Sequence, residues 1–113
     1  MIYYEGFKHV GQDSHVVRVD GDDISDLLTM GEVDAPRGYT WGDMDLKGQR
    51  KLAFDLIQDA TQDSYLAAKY SWDFVNCFVK GWTGRFMISQ DQIQRWAVLK
   101  SMTAQLKREE ETL

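Results

Sequence analysis

Between Ser64 and Lys80 the polar residues Lys69, Asp73, Asn76 and Lys80 fall at i, i+4, i+7 and i+11, which on an α-helix is one narrow stripe. Around it the residues are apolar: Tyr70, Phe74, Cys77 and Phe78 make one face, and Tyr65, Ala68, Trp72, Val75 and Val79 a second. So wide an apolar arc is stable in water only when most of the helix circumference is covered, and this dictates the architecture. Two coverings are open at this level. The chain's own remaining elements can wrap a central helix, or one face can meet a second subunit or partner. Gly81 follows where a C′ glycine would end the helix.

Two further helices are available for wrapping. Over about 47–60, Leu52, Ala53, Leu56, Ile57 and Ala60 repeat as one buried stripe, with Asp43 and Asp45 ahead of the positive end. Over about 90–110, Ser89 and Gln92 form a capping box, and Ile88 and Ile93 a hydrophobic staple. This helix carries Ile93, Trp96, Ala97, Leu99, Met102 and Leu106 before a charged, solvated tail at 107–113. Upstream, Ile2–Lys8 and the β-branched His15–Val19 flank Gly11-Gln12-Asp13-Ser14, so residues 2–20 read as an antiparallel hairpin. A lone hairpin is marginal in water and must rest on the helices. The connecting segment, about 21–45, holds an apolar piece of undetermined type at Ile24–Met30, then the only proline, Pro36, with Tyr39 and Trp41. The expected fold is α+β, one domain spanning 1–113, with an N-terminal hairpin packed on a three-helix C-terminal part.

Composition limits the function classes. The 113 residues are 43% hydrophobic and 27% charged, which is globular rather than disordered. The single cysteine, Cys77, excludes an intrachain disulfide and points to a reducing, cytoplasmic setting. No signal-peptide pattern opens the chain, and no apolar run approaches a membrane span. The net charge of −5 opposes binding to a phosphate backbone.

Chemistry is thinly signalled. No phosphate loop, dinucleotide fingerprint or Cys-x-x-Cys occurs. His9 and His15 lie around the hairpin turn as polar surface residues, and no catalytic group, metal-ligand set or cofactor is expected. Asp20-Gly21-Asp22-Asp23-Ile24-Ser25-Asp26 has its glycine in the wrong place for a calcium loop, and Ile24 stands at a ligand position. Cys77, on an apolar helix face, reads as an inert core thiol. Gly81-Trp82-Thr83-Gly84-Arg85 has the spacing of an RNA-clamping Gly-x-x-Gly loop, but Trp82 takes the tip, so it reads as a tight connection.

Gly38-Tyr39-Thr40-Trp41-Gly42, with Gly48, Leu52-Ala53, Phe74, Phe86, Ser89 and Ile93, resembles a domain-of-unknown-function family of bacteria and their phages. That family has Gly-aromatic-x-Trp-Gly, a glycine-rich stretch, then Leu-Ala and a helix, and the resemblance covers about Tyr3 to Trp96. Two departures stand out. The family's Tyr-Gly-Gly-Ser-Gly-Pro stretch is replaced by Asp43–Gln49, and the Lys after its helical Phe is Val75. The resemblance implies a setting in mobile elements and no activity. A non-enzymatic phage or mobile-element interaction protein is therefore expected, occluding a protein partner or self-associating as a homodimer, with inhibition of a host defence system as its role in the host cytoplasm. The expected surface is Tyr39, Trp41, Tyr65, Trp72 and Trp82, since large aromatics dominate binding when desolvated. The alternative is a nucleotide binder using Trp41 for stacking with Lys47, Arg50 and Lys51, and a small enzyme stands third.

Overall fold

The structure is a computed structural model that describes residues 1–7, 15–27, 41 and 46–112, the side chains at 105 and from 107 onward excepted. The chain is an α+β protein. Strands β1 (Ile2–Phe7), β2 (His15–Asp20) and β3 (Asp23–Asp26) are successive antiparallel neighbours. β4 (Phe86–Ser89) joins the free side of β1, so the order is β3-β2-β1-β4. The helices are α1 (Leu46–Thr61), α2 (Ser64–Cys77) and α3 (Gln90–Thr112).

The expected hairpin is thus the middle of a larger sheet. The undetermined segment Ile24–Met30 begins inside β3, and Leu27 is buried with its N–H donating to Val16 O at 2.9 Å. Residues 28–30 lie outside the described residues. The acidic run that failed as a calcium loop is the β2–β3 turn, with Gly21 at φ 61°, a conformation glycine adopts without a Cβ clash.

Register determines which sheet face is buried. Tyr4 lies opposite Arg18 and Ile88, and Gly6 opposite Val16 and Phe86, so these residues share one face. Tyr4, Val16, Phe86 and Ile88 pack there on Leu52, Leu56 and Ile57 of α1, Phe74 and Val75 of α2, and Ile93 of α3. The Phe86 ring lies where a Cβ on residue 6 would stand, which explains the glycine. Tyr4 Oη and Arg18 Nε both donate to Asp59 Oδ2, at 2.5 and 3.0 Å, tying the sheet to α1.

Caps set the helix phases. Gln92 N–H donates to Ser89 Oγ at 3.0 Å, and Ile88 and Ile93 are both buried, so β4 passes into α3 without a loop. Asp63 caps α2, its Oδ1 accepting from the N–H groups of Tyr65 at 2.9 Å and Leu66 at 3.1 Å. α2 stops at Cys77 rather than running to Lys80. Val79–Gly81 tighten into a 3-10 turn, and the positive φ belongs to Gly84, at 62°, instead of Gly81. The aromatic rings of Phe78 and Trp82, which pack together and against Phe74, turn the chain back toward β4 at this point.

Candidate interaction surface

The two apolar faces read along α2 have different fates. Tyr70 and Phe74 are buried and Phe78 half-buried, but Cys77 is exposed and is not a core thiol. On the second face Val75 and Val79 are buried, whereas Tyr65, Ala68 and Trp72 face solvent. The reason is geometric. α1 packs against α2, whose buried arc is Ala67, Tyr70, Ser71, Phe74 and Val75, and the arc that holds Tyr65, Ala68 and Trp72 is left exposed.

That quadrant is an ordered ridge. Tyr65, Lys69, Trp72 and Asn76 follow at i, i+4, i+7 and i+11, all exposed, with Tyr65 at 67% and Trp72 at 43%. Arg50 of α1 reaches across. Its guanidinium lies 5.4 Å from the Trp72 ring centre, and its Nε donates to the buried Ser71 Oγ at 3.4 Å. Lys69 Nζ sits 5.6 Å from the Tyr65 ring and 5.5 Å from that of Tyr70. Lys47 is exposed one helical turn before Arg50. Aromatic rings beside cations present flat apolar area and positive charge together, a combination chemically suited to carboxylates and aromatic groups.

The other residues expected at a surface are elsewhere. Trp41 has no exposure at all; its Nε1 donates to Gly84 O at 2.6 Å and its ring meets Phe86 edge-on at 4.9 Å. It is a core residue, held by Gly84 and Phe86. Trp82 is half-buried and stacks flat on Phe86, 4.0 Å between centroids. Lys51 is also buried and pairs with Asp55 at 3.4 Å, so it is not an open ligand cation. Of the alternative set, only Lys47 and Arg50 face solvent. Tyr39 and His9 lie outside the described residues, and His15 stacks on Phe7 at 5.1 Å.

Reactive group types come together at Tyr4, Arg18 and Asp59. Burial, then the hydrogen bond and charge of Asp59, push the Tyr4 phenol well above its ordinary value. It stays a neutral donor at physiological pH and acts as a structural tie. Among the described residues no three His, Cys, Asp or Glu side chains gather as a metal site. No helix among them is long and apolar enough to cross a membrane.

Residues 4–100 match a family of unknown function, DUF6166. The chain belongs to that family. The match runs from within β1 through the other three strands, α1, α2 and the first half of α3, so DUF6166 membership covers both the sheet and the ridge. No curated protein and no solved structure matches the chain.

Sequence reasoning missed one further feature. Leu99, Met102 and Leu106, which the sequence places on this helix without assigning them a face, are exposed together with Val98. Their position on the wheel was the available signal, since they lie opposite Ile93 and Ala97 at about 100° per residue.

Proposed function

We propose that this chain is a non-enzymatic interaction protein of phage or mobile-element type that binds and occludes a macromolecular partner through the α2 ridge. Inhibition of a host defence system in the host cytoplasm is the role that fits this setting. The observation that carries the reading is the Arg50–Trp72 and Lys69–Tyr65 pairing on an otherwise acidic protein. It favours a protein partner with an acidic or aromatic surface, because cations concentrated among exposed rings complement carboxylates and π-faces. The surface reduces to Tyr65, Lys69, Trp72 and Arg50; Trp41 and Trp82 belong to the packing.

The test is affinity capture from the host with the parent chain, Trp72→Ala and Tyr65→Ala, using Trp96→Ala as a packing control. Trp96 is half-buried on Phe74, so its loss acts mainly through stability. A partner retained by the parent, lost by the two ridge variants and retained by correctly folded Trp96→Ala supports the reading. Equal recovery by all four chains refutes it. The nucleotide alternative predicts instead a thermal upshift with at least one nucleotide of a small panel, by mass action, abolished by Arg50→Ala.

A further inference from the structure

The final helix has two apolar faces. Ile93 and Ala97 are buried against the body, and Trp96, Lys100 and Ala104 continue that face half-buried. Met102 stands nine residues from Ile93, half a revolution around the helix at about 100° per residue. Around it Val98, Leu99, Met102 and Leu106 are exposed to 57, 63, 54 and 59%. A shallow groove along Asp91, Gln94, Arg95, Val98 and Leu99 leads into the same patch.

We propose that this face pairs with the same face of a second copy of the chain, helix against antiparallel helix, about a two-fold axis at Met102. Three observations choose this occupant. Leu99, Met102 and Leu106 have the 3-then-4 spacing of a helix-pairing seam. An antiparallel pair centred on Met102 sets Val98 level with Leu106 and Met102 with its own copy, with Leu99 flanking that seam, so most of the patch is covered by its own counterpart. The same register brings Arg95 of one copy level with position 109 of the other, a glutamate, whereas a parallel pair would set the run Glu109-Glu110-Glu111 against itself. The exposed Asp91–Arg95 pair, at 3.0 Å, forms a polar boundary at the near end.

Four partly exposed side chains per copy make a contact smaller than the roughly 800 Å² per partner of a standard interface. The dimer is therefore a weak, exchanging one rather than an obligate assembly. The face is separate from the α2 ridge, and the inference does not depend on the function proposed above.

Sedimentation velocity over a concentration series tests self-association, and cysteine cross-linking in a Cys77→Ser background tests register. The parent chain should show a concentration-dependent dimer, and Met102→Glu should weaken it at least tenfold with an unchanged helical spectrum. An equimolar mixture of Val98→Cys and Leu106→Cys chains should form mixed disulfides on mild oxidation, while each alone should form far fewer. A monomer at all concentrations, or a dimer indifferent to Met102→Glu, overturns the proposal. Efficient cross-linking of Val98→Cys to itself overturns the antiparallel register.

Discussion

Replacing Trp41 by alanine separates packing from recognition, because the residue type suggests a binding surface and its position does not. Its indole has no solvent exposure, meets Phe86 edge-on at 4.9 Å and donates to Gly84 O at 2.6 Å. Truncation leaves a cavity beside Phe86 and removes that hydrogen bond. Core Trp-to-Ala changes cost about 3–5 kcal/mol. For a chain of 113 residues, 1 kcal/mol corresponds to about 4 °C in Tm, so Trp41→Ala should melt about 12–20 °C below the parent. Trp72, exposed to 43% under the Arg50 guanidinium, should cost only about 1 kcal/mol on the same substitution, or about 4 °C. Thermal and urea unfolding of both variants, with helical content checked by circular dichroism, reads the difference. If Trp41→Ala melts within about 4 °C of the parent, Trp41 is not a core residue of the folded chain.

Three further changes probe the scaffold. Gly6→Ala should lose about 1–3 kcal/mol in urea unfolding, because the new Cβ falls on the Phe86 ring and that ring is held by Trp82 on one face and Trp41 at its edge. Tyr4→Phe should cost about 1–2 kcal/mol at neutral pH through the lost donor to Asp59. The folded-state pKa of Tyr4 is raised above the unfolded value of 10.0, so the stability tied to its proton is fully present below pH 10.0 and declines as pH rises above it. The gap between Tyr4→Phe and the parent should therefore narrow above that pH, and a constant gap would contradict the linkage. Asp63→Ala should lose about 1 kcal/mol by freeing the N–H groups of Tyr65 and Leu66, measured by thermal unfolding.

Local chemistry in the chain determined the parts that need only near neighbours. The Ser89–Gln92 cap and the Ile88–Ile93 staple mark the start of α3, the stripe from Leu52 to Ala60 marks α1, and the turn residues between Phe7 and His15 mark the β1–β2 pair. Each is a hydrogen bond or periodicity spanning a few residues, so it is written in consecutive letters.

The tertiary structure alone decided what depends on distant partners. β4 is four residues long and becomes a strand only because β1, some 80 positions earlier, offers it an edge. Trp41 in a glycine-bearing segment is the same letter whether it faces solvent or Phe86, and only the arrival of β4 and Gly84 buries it. The same limit applies to Cys77, Lys51 and the outer face of α3. Periodicity gives the direction in which a side chain points, and burial depends on whether another element comes to meet it.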